Sequence, residues 1–162
     1  MTRVRTVSDD VLVVATPEQL YALVSDPSQM RRWSPENTGA TTSGSLPVGA
    51  QFDGTNQRGR RRWVTRSTVT AAEPGVRFAF RVHRVGVGRP FVPARNASWE
   101  YRFTPADGGT LVTETWTDDR PWPDALARAF DQLATGTTFD RFQRGNIRRT
   151  LDRLKADVEQ AP

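Results

Sequence analysis

TPEQLYALVSDPSQMRRWSPE, residues 16–36, decides the fold. It carries two helix starts in succession and then a stop. Thr16 suits an N-cap, Pro17 the first helical position, and Gln19 completes a capping box. Leu20, Leu23 and Val24 give the short helix one apolar side. Asp26-Pro27 repeats the start signal with Gln29 in third position, so a second short helix runs to about Trp33. Pro35 ends it, because the residue before a proline avoids the helical region. Met30 and Trp33 are expected to pack inward near Leu151 and Leu154, leaving Arg31 and Arg32 in solvent.

Outward from this stretch the chain is mostly β. Residues 4–15 are Val-rich, alternate in part and read as a first strand. Downstream, six strands are predicted at 37–44, 50–57, 62–72, 76–84, 96–105 and 110–118. Their breaks are Pro47-Val48-Gly49, Arg58-Gly59-Arg60, Glu73-Pro74-Gly75, a long loop at 85–95, and Ala106-Asp107-Gly108-Gly109. Short separations favour hairpins, hence antiparallel neighbours in sequence order. A short helix is predicted at 123–134 and a longer one at about 138–159. Ile147, Leu151, Leu154 and Val158 share one face of the latter. The result is an α+β chain with about seven strands. Its concave sheet face must be covered, and only the last helix is long enough to do so.

Composition narrows the function classes. The 162 residues suffice for one domain, 1–162, with a sizeable core. With 36% hydrophobic and 25% charged residues the chain reads as globular. No apolar run reaches the length of a membrane span. The N-terminus lacks a signal pattern, which points to a cytoplasmic protein. Without cysteine there is no thiolate metal site, Cys nucleophile or disulfide. The net charge of +5 is almost wholly arginine, with Lys155 the only lysine. The arginines are spread along the chain, so no nucleic-acid partner is expected. The dense run RGRRRW at 58–63 reads as a solvated hairpin turn.

In element order and in "TPEQLYALVSDPSQMRRWSPE" (16–36), "VGAQFDGTNQRG" (48–59), "VTAAEPGVRFAF" (69–80), "WEYRF" (99–103), "GGTLVTETW" (108–116) and "NIRRTLDRLKADVE" (146–159), the chain resembles the START / polyketide cyclase superfamily. This superfamily is also called SRPBCC, helix-grip or Bet v 1-like, and the chain is similar to its small stand-alone bacterial members. The resemblance implies a curved antiparallel sheet wrapped around the long C-terminal helix, with two short helices after the first strand. It also implies a cavity between sheet and helix that holds an apolar ligand. It does not choose between carriers, cyclases and regulators, since fold alone does not fix function.

Strand parity supplies site candidates. Trp63, Thr65, Ser67 and Val69 share a face; so do Val76, Phe78, Phe80 and Val82, and Trp99, Tyr101 and Phe103. Phe52 joins them if its strand is in phase. The ligand-binding candidates are Phe52, Trp63, Phe78, Phe80, Trp99, Tyr101 and Trp116, with Phe139, Gln143 and Asn146 from the long helix. An aromatic wall with few polar groups is how small-molecule sites are usually built, although a solid aromatic core fits the same pattern.

In TLVTETW, residues 110–116, Glu114 shares its face with Val112 and Trp116. A buried carboxylate must be paired, hydrogen-bonded or protonated. Glu114 is therefore the catalytic candidate, a general acid/base. The competing reading pairs it with Arg141, Arg144 or Arg102. His83, the only histidine, falls on the other face of its strand, so neither a triad nor a metal site is expected, and no cofactor.

Three functions follow. The first is a binding protein for an apolar or aromatic small molecule, lipid- or polyketide-like. The second is a cofactor-independent cyclase/aromatase-type enzyme with Glu114 as proton shuttle. The third is a regulatory interaction module with a filled cavity. The sequence leaves open whether there is catalysis, and whether the protein is a monomer or a homodimer.

Overall fold

The capping box at Thr16 forms as its spacing demands. In the computed structural model, which describes residues 2–161, the Gln19 backbone N–H donates to Thr16 Oγ1 at 3.2 Å. The Thr16 N–H in turn donates to Gln19 Oε1 at 3.0 Å. Helix α1, Pro17–Val24, buries Leu20, Tyr21 and Val24. Asp26 caps the next turn through Ser28, but the predicted second helix is a 3-10 helix, Pro27–Arg32. Trp33 is buried beyond it, and its indole N–H donates to Asp157 at 2.9 Å on the C-terminal helix. Arg31 is exposed. Arg32 is exposed too, and also pairs with that same Asp157.

Seven antiparallel strands follow the predicted order: β1 (Thr6–Val13), β2 (Asn37–Ala40), β3 (Gln51–Arg58), β4 (Arg61–Glu73), β5 (Arg77–Gly86), β6 (Val92–Ala106) and β7 (Gly109–Asp118). Strands β2 to β7 are neighbours in sequence order, whereas β1 pairs with β7 at the far edge. The two short helices between β1 and β2 carry the chain across the sheet. The sheet curls into a half-barrel, and α3 (Phe139–Gln160) closes it, in the helix-grip arrangement. Helix α3 packs mainly on β1 and buries Ile147, Leu151 and Leu154. A shorter helix, α2 (Asp124–Thr135), precedes it. Gly145 needs no special room in α3, because a Cβ there would meet only the Arg149 guanidinium at ordinary distance.

Two expectations fail. The region 85–95 is not a long loop: β5 continues to Gly86 and β6 begins at Val92, with Val85 paired to Val92 and Arg84 to Pro93. The glycines and prolines there shape a bulged hairpin with a short tip. Val76 does not join the apolar face of β5. It lies in the preceding turn and is half exposed.

Candidate functional site

Between the concave sheet face and α3 lies a cavity of about 730 Å³. Its position follows from strand parity. Phe52 on β3, Trp63, Thr65 and Ser67 on β4, Phe80 and Val82 on β5, and Trp99 and Tyr101 on β6 point into one space, with Glu114 and Trp116 on β7. From α3 come Phe139, Gln143, Asn146, Thr150 and Leu154. Nine of the ten residues picked out for ligand contact thus surround one cavity. Phe78 does not. It is fully buried under α1, edge-on to Tyr21 with ring centroids 6.4 Å apart. Helix α1 covers that end of the sheet, so the same parity that aims Phe80 at the cavity aims Phe78 at solid core.

The floor holds the chemistry. Strand β7 alternates strictly, burying Thr110, Val112, Glu114, Trp116 and Asp118. Tyr101 and Glu114 face each other across the β6–β7 ladder, and the Tyr101 hydroxyl donates to Glu114 Oε1 at 2.8 Å. Glu114 is 2% exposed, and its Oε2 has no hydrogen-bond partner. Burial drives its pKa from the ordinary 4.5 to about 8, against the opposing pull of the tyrosine hydrogen bond. The carboxyl is therefore protonated at neutral pH. Burial and the neighbouring Glu114 also push Tyr101 well above its usual value. No arginine pairs with Glu114 among the described residues. Arg102, one of the anticipated partners, instead donates to Glu100 on the outer face.

A second polar group sits where β3 meets α3. Arg58 pairs with Glu36 and stacks over Phe142 at 4.1 Å and Trp63 at 5.5 Å. Asn146 donates to Glu36 and to Gln143, each at 3.3 Å, and accepts from Arg149 at 2.7 Å. Gln143 and Asn146 therefore reach the cavity as members of a side-chain network that fixes their orientation. His83 lies outside the cavity, with Nε2 2.9 Å from Thr68 Oγ1. Among the described residues no cluster of three or more His, Cys, Asp or Glu gathers where a metal ion could be held. No helix among them is long and apolar enough to cross a membrane.

Residues 4–159 match the family described as polyketide cyclase / dehydrase and lipid transport. The chain belongs to this family. Solved structures agree on the architecture. A START superfamily protein from Mycobacterium smegmatis superposes with a TM-score of 0.69 at 16% identity, over 96% of this chain and 98% of that one. A Polyketide_cyc-like protein from Corynebacterium glutamicum is 28% identical with a TM-score of 0.53, over 95% and 91%. The di-domain ARO/CYC StfQ of the steffimycin biosynthetic pathway matches at 18% identity and a TM-score of 0.68. That match covers 96% of this chain and 50% of the other. Among curated proteins, none matches.

Within this family member one buried cluster escaped the sequence reading. Arg120 is 2% exposed, donates to Asp118 at 2.8 and 2.9 Å and to Asp131 at 2.8 Å, and lies over the rings of Phe139 and Trp122. Arg3 joins through Asp118 at 3.4 Å and Asp124 at 3.6 Å. Burial disfavours the Asp118 anion, but the Arg120 hydrogen bonds and charge outweigh it and hold the carboxyl below its usual range. The cluster ties α2 to the end of β7 at the cavity rim. Its signal was Asp131, one helical turn beyond Ala127 on the inward face of α2.

Proposed function

We propose that this protein binds an apolar or aromatic small molecule, of lipid or polyketide type, in the cavity between sheet and α3. The observation that carries the reading is an aromatic-walled space of about 730 Å³ with a neutral, incompletely bonded carboxyl at its floor. That volume is within the usual range for ligand pockets, roughly 300–1,000 Å³. With Oε1 accepting from Tyr101, a protonated Oε2 is left to donate, so the ligand's buried end carries an acceptor such as a carbonyl, ether or hydroxyl oxygen. A filled-core interaction module finds no support in a space of this size. Native mass spectrometry of the protein purified from cells tests the reading. A retained adduct of a few hundred daltons supports it, and a bare chain that also fails to take up added lipid or aromatic probe counts against it.

The raised pKa of Glu114 favours a second reading, a cofactor-independent cyclase-type enzyme. A carboxyl with a pKa of about 8 gives and takes a proton near neutral pH. Beside a bound carbonyl it gives its proton to the oxygen, and the carboxylate so formed takes the proton from the adjacent carbon, which leaves an enol and restores the acid. Glu114→Gln then retains binding and loses turnover of a poly-β-ketone surrogate. Unchanged turnover removes Glu114 from the chemistry.

A further inference from the structure

The cavity opens at one end of the half-barrel. Its exposed lining residues are Arg61, Val92, Pro93, Arg95, Pro121 and Phe130. They belong to the β3–β4 hairpin, the β5–β6 hairpin, the chain leading into α2, and α2 itself. Glycines in the left-handed region, Gly59 (φ 59°) and Gly88 (φ 76°), turn the two hairpin tips.

The two hairpins share an unusual charge pattern. Residues 54–72 and 74–99 hold five arginines each and no acidic residue. Arginines along the strands find partners elsewhere: Arg58 with Glu36, Arg66 with Asp53, Arg77 with Glu73 and Glu100, Arg81 with Asp119. Those at and beside the tips do not. Arg60, Arg61, Arg62, Arg89 and Arg95 make no ion pair among the described residues. Large apolar side chains stand among them. Val87, Phe91 and Val92 at the β5–β6 tip are 78%, 57% and 47% exposed, and Leu126 and Leu133 on α2 are 57% and 81% exposed. Helix α2 turns Ala127 and Asp131 inward, sets Phe130 at the cavity rim against Trp122 and Phe139, and leaves Leu126 and Leu133 outward. Exposed apolar groups ringed by polar ones mark an interaction site.

We infer that this end of the protein docks on an anionic lipid bilayer, with the cavity opening toward the acyl chains. The charge complements acidic headgroups, and the apolar tips insert at the interface, the two components of peripheral membrane attachment. Apolar side chains raised on two separate elements around an opening fit a fluid interface better than the fixed surface of an acidic protein. The docking rests on the hairpin tips and the exposed residues of α2, and does not depend on what the cavity holds.

Vesicle flotation tests this, with phosphatidylcholine alone and with 30% phosphatidylglycerol added. Binding is expected only to the anionic vesicles and is weakened by salt. Arg60→Gln/Arg62→Gln, at two positions that do not line the cavity, is expected to weaken it by about fivefold per arginine. Arg31→Gln/Arg153→Gln, with the same loss of charge elsewhere, leaves it unchanged. Phe91→Ser/Leu133→Ser weakens it roughly tenfold or more. Equal loss in both arginine pairs, equal affinity for neutral vesicles, or retention on heparin-agarose without vesicle binding overturns the inference. The last outcome would mean that the tips read a soluble polyanion.

Discussion

Replacing Glu114 by glutamine isolates the cost of a buried acid. Gln keeps the size of the side chain and an oxygen to accept from Tyr101, but it does not titrate. In the wild type the folded-state pKa is about 8 against an ordinary value of 4.5. The folded state therefore binds the proton more tightly than the unfolded chain does. Stability from this group is complete below pH 4.5 and is lost as pH rises toward 8. At about 1.36 kcal/mol per pH unit, the wild type should lose about 3.5 kcal/mol relative to Glu114→Gln between pH 5 and pH 8. Other titrating groups are common to both proteins and cancel in the difference. Urea unfolding followed by tryptophan fluorescence at pH 5, 6, 7 and 8 gives the two curves. A difference that stays flat within about 1 kcal/mol over that range refutes a neutral, buried Glu114.

Three further changes probe the surroundings. Tyr101→Phe removes the tyrosine hydrogen bond to the Glu114 carboxyl, costing about 1–3 kcal/mol of stability. It also moves the midpoint of the pH effect upward, since that bond opposes the rise in pKa; both are read from the same urea series. Arg120→Ala strands Asp131 in a buried site and is expected to cost about 3–5 kcal/mol by chemical denaturation, with amide exchange rising in α2. Thr16→Ala breaks the capping box and lowers stability by about 1 kcal/mol, seen as a reduced urea midpoint at unchanged slope.

Sequence pattern located the sheet and most of the cavity wall because both obey local rules. Alternation along β4 aimed Trp63, Thr65 and Ser67, and alternation along β7 aimed Glu114. What it missed depends on how distant elements meet. Phe78 has the same parity as Phe80, and only the placement of Tyr21 on α1 decides that it is core. The Arg3–Asp118–Arg120–Asp131 cluster joins the N-terminus, the end of β7 and α2, which no spacing brings together. Gly86 and Pro93 carry turn signals but lie in strands, Gly86 paired with Val64 and Pro93 with Arg84 beside a bulge, so the predicted loop was too long. Glu114 was open between a desolvated acid/base and a pair with Arg141, Arg144 or Arg102. Register settled it by setting Tyr101 directly opposite.

Titration with 1-aminoanthracene, a neutral aromatic probe, tests ligand binding in the cavity most directly. Ser67 is buried on the cavity face of β4, opposite Phe52 and Val82, so Ser67→Trp fills the space from within. The wild type should bind the probe saturably with a blue-shifted emission, and Ser67→Trp, folded by circular dichroism, should lose that binding. A wild type that does not saturate, or a folded Ser67→Trp that binds as well as the wild type, contradicts a ligand site between the sheet and α3.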